Sequence, residues 1–229
     1  MPNHKHVYKN EVLQYDRMIS KQPNLLPHIE KIVAVEGLDI IDIGAGTGRL
    51  TIPLAQTAKS VLALDQSPEM LSLIATRLDQ LGLSNWETQV ADHRTIPVED
   101  NQVDLVVAGW SLCYLASSNQ SEWKENLSQM IAEIKRVLRP NGYLLIFENM
   151  GTGSLQPRPP AYLTSYFEAL DQSYHFNHSL IRTDYTFSDH EEALTLTNFF
   201  FEDEIVKRIS SEEWVQVPEW AGMWWKQFK

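Results

Sequence analysis

Apolar residues along this chain change their spacing repeatedly, and each change marks an element. Between Tyr8 and Lys21, Val12, Leu13, Tyr15, Met18 and Ile19 recur near a helical period and Pro23 closes the stretch, which predicts an amphipathic helix. Leu25, Leu26, Ile29, Ile32 and Val33 predict a second over 24–34. The spacing then tightens, and Ile40, Ile41 and Ile43 form a short strand that breaks into Gly44, Gly46 and Gly48. Residues 49–59 return to helical spacing, with Pro53 tolerable only in the first turn. A second strand over 60–64 ends on Asp65, and Ser67 caps a helix predicted over 68–81 with Pro68 in its first position. Strands follow at 86–91 and 103–108, the latter apolar almost throughout, as a parallel strand buried on both faces should be. A long amphipathic helix over 121–138 then turns sharply at Arg139-Pro140-Asn141-Gly142 into a fifth strand.

Beyond Met150 the pattern is less regular. Gly and Pro predict a loop over 150–160, then a helix over 161–170 and a strand over 180–187. Ser188-x-x-Glu191 reads as a capping box opening a helix to about 198, which 199–209 could extend. The tail 214–228 suits a final strand interrupted at Pro218, its Trp214, Trp220, Trp224 and Trp225 expected in the core. Strands alternating with helices predict an α/β fold, a doubly wound sheet with helices on both faces.

Candidate chemistry gathers at the carboxyl ends of the predicted strands. The first ends in D-x-G-x-G-x-G, from Asp42 to Gly48. Glycines are needed where a tight turn visits positive φ and a ligand approaches bare backbone. A dinucleotide fingerprint would put its third glycine at position 49, which is Arg. Asp65 falls 21 positions after Gly44, where an acid accepts from ribose hydroxyls, and Ser67 leaves it free of capping duty. The third strand ends in Asp92-His93, the fourth in Gly109-Trp110, and the fifth carries Glu148 at its end. His175 and His178 have no third ligand at a convincing spacing, so a metal site is not expected.

Composition narrows the partners. With 229 residues, 43% apolar and 21% charged, one large compact domain is expected. A net charge of -11 without a basic run removes the electrostatic footprint of nucleic acid binding. One cysteine, no secretory pattern behind the N-terminus and no apolar run of about 18 residues predict a cytoplasmic protein that does not span a membrane.

The glycine loop, the two strand-end acids and the stretch R-V-L-R-P-N-G-Y-L-L-I-F-E together resemble class I S-adenosylmethionine-dependent methyltransferases, over most of Leu38 to Met150. The resemblance implies a Rossmann-like sheet of seven strands, mostly parallel with an antiparallel edge, and S-adenosyl-L-methionine as cofactor. It places the amino acid end on Gly44, Gly46 and Gly48 with help from Asp42, the ribose on Asp65 beside Gln66, and the adenine on Asp92, the His93 backbone and Met70, with Gly109 closing the site. Met70 packs equally well in a core, and Tyr8 or Tyr15 either covers the cofactor or packs likewise. Trp110, Ser111 and Tyr114 should face the donor or its acceptor. Tyr114, His175, His178 and Glu148 are candidate bases, although a solvated strand-end carboxylate is the more common case for Glu148. The imidazoles that the family often places near Cys113 and Tyr114 are absent.

The expected function is methyl transfer to a small-molecule acceptor. An NAD(P)-dependent oxidoreductase on a related fold is opposed by the misplaced third glycine and the acid at 92, and a non-catalytic cofactor-binding protein is the other alternative. The expected layout is an N-terminal helical cap (1–36), a cofactor-binding core (37–149), an acceptor-side insertion (150–187), and a C-terminal helix and edge strand (188–229).

Overall fold

A computed structural model of the chain describes residue 7 and residues 10–229. Tyr8 lies outside the described residues. The first helix described throughout is α1, Val12–Ile19, and α2, Leu26–Ile29, is a single turn. The predicted helix over 24–34 is thus much shorter. Ile32 and Val33 both donate back to the Ile29 carbonyl, and as β-branched residues they extend a helix poorly.

The core follows as β1 (Asp39–Ile43), α3 (Thr51–Ala55), β2 (Ser60–Asp65), α4 (Pro68–Gln80), β3 (Trp86–Val90), β4 (Val103–Gly109), α5 (Cys113–Ala116), α6 (Trp123–Val137) and β5 (Leu138–Thr152). Ser67 caps α4 as expected, its side chain accepting from the Met70 N–H. The insertion forms a 3-10 turn, α7 (Thr164–Glu168), a π-turn over 169–173, and β6 (Asn177–Arg182). The rest is β7 (Tyr185–Thr186), α8 (His190–Thr197), α9 (Asp203–Ser211), β8 (Gln216–Val217) and β9 (Glu219–Gln227).

Seven strands form the main sheet in the order β3-β2-β1-β4-β5-β9-β6. The first five pair in parallel, and β9 runs antiparallel between β5 and β6. The winding reverses between β1 and β4, so the carboxyl ends of those strands open the crevice where this architecture binds ligands. One apolar cluster lies on each face, one around Ile134 and Trp224 and the other around Leu54, Ile74 and Phe147.

Three sequence expectations beyond Met150 change. The strand over 180–187 splits at Asp184, whose carboxylate accepts from Arg182 and from the Glu219 N–H and so ends β6 in a turn. The capping box moves by one residue: Asp189 accepts from the Glu192 N–H at 2.8 Å, while Ser188 donates to Glu192. Residues 199–209 do not continue α8. Phe199, Phe200 and Phe201 turn the chain so that their rings join a third core with Met18, Tyr185, Leu196 and Ile209, and α9 starts afresh.

That third core joins α1 to the far end of the chain. Lys21 pairs with Glu192 at 2.7 Å and Gln22 donates to the Thr183 carbonyl at 2.7 Å. Because Glu219 at the start of β9 sits opposite Thr152 at the end of β5, this small unit stands above the carboxyl edge of the sheet, beside the crevice.

Candidate functional site

The glycine loop is held from beneath and from the side. Asp42 is 1% exposed and accepts from Thr51 Oγ1 at 2.6 Å, so its carboxylate braces the loop from inside the core. Burial raises its pKa to about 7, against the Thr51 hydrogen bond and helped by the Asp65 charge. Gly44 has φ +70°, and a Cβ there would fall 2.2 Å from Ser111 Cβ. Ser111 itself donates to the Ile43 carbonyl at 2.7 Å, which locks the ends of β1 and β4 together. Gly46, at φ +55°, instead faces open space.

Asp65 ties that loop to β2. Its Oδ2 accepts from the Gly46 N–H at 2.9 Å and its Oδ1 from the Ser67 N–H at 2.8 Å. Each oxygen keeps a lone pair, and an ionised carboxylate only accepts, so the group suits hydroxyl donors. Gln66 is exposed and donates to Asp92 Oδ2 at 3.4 Å, bringing β2 and β3 into one site. Met70 is 2% exposed, packed beneath the first turn of α4.

Asp92 carries a partner that the sequence reading missed. Arg94 grips it with Nε on Oδ1 at 2.9 Å and Nη2 on Oδ2 at 2.8 Å, and its backbone N–H adds a third bond. These bonds hold the Asp92 pKa down at about 2. The signal was present in D-H-R, where the arginine lies two residues beyond the acid. His93 is 8% exposed, with a pKa lowered by burial, and its Nδ1 is buried without a partner.

Gly109 approaches Leu50, which stands 3.0 Å from the place of a Cβ. Trp110 follows at φ +53°, unusual for a bulky residue, with its N–H on the Phe147 carbonyl at 2.7 Å and its ring stacked on Phe147. The Arg49 guanidinium lies 3.8 Å from the Trp110 ring centroid. Tyr114 is 46% exposed at the start of α5.

Glu148 contradicts the expectation of a solvated carboxylate. It is 0% exposed, and Oε1 accepts from the Cys113 N–H at 3.1 Å and the Tyr166 hydroxyl at 3.3 Å, leaving Oε2 buried without a partner. The insertion closes over the strand end through Tyr166, and burial raises the Glu148 pKa to about 7. His178 stacks on Trp224 near Asp171, away from these groups, and no cluster among the described residues could hold a metal ion. The crevice therefore gathers Gly44, Gly46, Asp65, Gln66, Asp92, His93, Gly109 and Trp110. Asp42, Met70 and Glu148 lie behind it.

These groups fit S-adenosylmethionine. Gly46 leaves bare backbone facing open space, and the Asp65 oxygens keep lone pairs able to accept from hydroxyl groups. Comparison with known proteins agrees. Residues 41–146 match the family described as Methyltransferase domain. An uncharacterized methyltransferase of Schizosaccharomyces pombe is 28% identical over 65% of this chain and 54% of its own length. A malonyl-[acyl-carrier protein] O-methyltransferase of Xylella fastidiosa is 32% identical over 59% of this chain and 42% of its own. The chain thus spans between 21% and 54% of the length of the curated relatives it matches. Among solved structures, a SAM-dependent methyltransferase from Aquifex aeolicus superposes with TM-score 0.58 at 16% identity, covering 94% of this chain and 98% of that one, which supports the fold.

Proposed function

We propose that this chain is a class I S-adenosylmethionine-dependent methyltransferase that transfers the methyl group of S-adenosylmethionine to a small-molecule acceptor. The observation that carries this reading is the Asp65 carboxylate bound to the Gly46 N–H across an open glycine turn. In the proposed complex the amino acid end lies along Gly44 and Gly46, the ribose on Asp65, and the adenine near Asp92 and Gln66. The donor, when bound, supplies a methyl carbon activated by its sulfonium leaving group.

The chain's own residues then align and enclose. Holding the acceptor in line with that carbon can supply roughly 7 to 11 kcal/mol in favourable cases, so no dedicated base is required. We place the acceptor beside Trp110 and Tyr114, beyond the ends of β4 and β5. Net charge of -11 favours a small molecule over nucleic acid as acceptor. No helix among the described residues is long and apolar enough to cross a membrane.

Calorimetry with S-adenosylmethionine beside NADH, on the wild type and Asp65→Ala, tests the reading. Binding of the first alone, weakened at least tenfold by the substitution as loss of a charge-assisted partner implies, is the expected result. Absence of S-adenosylmethionine binding, or equal binding in the mutant, would refute the donor site. Binding without methyl transfer to any of a panel of small acceptors would leave the non-catalytic alternative in its place.

A further inference from the structure

Arg49 is the one arginine that the glycine loop itself carries, and it makes no ion pair among the described residues. Its Nε and Nη2 are sealed from solvent and have no hydrogen-bond partner among the described residues. These two nitrogens form one edge of the guanidinium, the edge that receives both oxygens of a carboxylate side-on. The same protein uses that edge three times: Arg94 on Asp92 at 2.9 and 2.8 Å, Arg136 on Glu133 at 2.9 and 2.8 Å, and Arg182 on Asp184 at 2.8 and 2.6 Å. In Arg49 the fork is built and left unfilled.

Its surroundings hold it in place without filling it. The Trp110 ring covers one face at 3.8 Å, and Tyr15, Tyr185 and Glu219 stand around it. Glu219 is the acid of this group, yet its oxygens are taken by Thr152 Oγ1 at 2.8 Å and Gln22 Nε2 at 3.4 Å. Residues 1–6, 8 and 9 contain no Asp or Glu, so none of them offers a carboxylate side chain. A guanidinium edge sealed from water with two unmade hydrogen bonds is costly, and such cost is retained where a ligand relieves it. Room for one lies alongside. A cavity of about 300 Å³ runs from Thr47 and Gly48 past Arg49 to Gln22 and Asn24 beneath α1.

We propose that Arg49 is a carboxylate-receiving residue, whose Nε and Nη2 turn into the adjoining cavity to bind a ligand carboxylate side-on. The Trp110 ring and the cap formed by α1, β7 and the start of β9 hold the pair out of water. Two sources share this chemistry: the α-carboxylate of the methyl donor, and a carboxylate on the acceptor. The inference rests on the donor site proposed above.

The test compares wild type, Arg49→Met and Arg49→Lys, the last keeping the charge without the two-pronged edge. Calorimetry measures S-adenosylhomocysteine beside its decarboxylated analogue. If the donor supplies the carboxylate, both variants bind S-adenosylhomocysteine roughly tenfold or more weakly, the loss expected of one bidentate pair, and bind the decarboxylated analogue as the wild type does. If the acceptor supplies it, S-adenosylhomocysteine binding is unchanged. Malonate or benzoate then raises the melting temperature of the S-adenosylhomocysteine-saturated wild type and of neither variant. Wild-type affinities retained in both arms would overturn the inference. Failure of the wild type to bind S-adenosylhomocysteine would instead overturn the donor site itself. Arg49→Met without ligand should melt no lower than the wild type, because it removes a buried charge; should it fail to fold, Arg49→Lys alone carries the comparison.

Discussion

Replacing Glu148 with glutamine should change stability in a way that depends on pH. The carboxyl is fully buried, with Oε1 held by the Cys113 N–H and the Tyr166 hydroxyl and Oε2 unpartnered. Glutamine has the same shape and can keep both accepted bonds through its carbonyl oxygen. Burial raises the native pKa from 4.5 to about 7, so between those values the native state holds a proton that the unfolded state has released. Wild-type stability contributed by this group is therefore present below the unfolded pKa and falls as pH rises, levelling off above about 7. From pH 5 to pH 8 the loss is on the order of 2–3 kcal/mol, at 1.36 kcal/mol per pKa unit.

Asp42 and Glu219, also raised to about 7, act in the same direction, while His93, lowered by burial, acts oppositely below its ordinary pKa. All three are common to both proteins and cancel in the difference. Urea unfolding followed by tryptophan fluorescence at pH 5, 6, 7 and 8 measures that difference. Glu148→Gln should gain on the wild type steadily from pH 5 and hold its gain above pH 7.5 or so, with unchanged denaturant slope. A difference independent of pH, or one that shrinks as pH rises, would refute a buried carboxyl that is neutral in the native state.

Gly44→Ala should destabilise the fold by about 2 kcal/mol or more, since its Cβ would meet Ser111 at positive φ, and thermal melting checks it. Gly46→Ala should cost only about 1 kcal/mol, for its backbone strain, yet weaken S-adenosylhomocysteine binding in calorimetry because its Cβ enters the open space of the crevice. Arg94→Ala should leave that binding unchanged or tighter by freeing Asp92, whereas Asp92→Ala should weaken it roughly tenfold; the reverse order would remove Asp92 from the adenine site. Asp16→Ala should lower stability by about 1–3 kcal/mol in urea unfolding, because the largely buried acid holds Arg77 at 2.6 Å and joins α1 to α4.

How much of this was written locally follows from the range of the forces involved. The strands from Ile40 to Phe147, the Ser67 cap and the glycine turn depend on neighbours a few residues away, so periodicity and residue type determined them. The positions of Asp65 and Asp92 at adjacent strand ends followed from parallel winding alone. Other features depended on groups meeting from distant parts of the chain. Glu148 looks like any strand-end acid until Tyr166 from the insertion seals it, and Asp16 takes a buried place on α1 while Leu13 is left 69% exposed because Arg77 awaits it on α4. Arg49 could be read as an exposed helix residue, and only the folding of β4 and β9 puts Trp110 and Glu219 around it. Burial and charge compensation belong to the environment that distant segments create, and so the tertiary structure decides them.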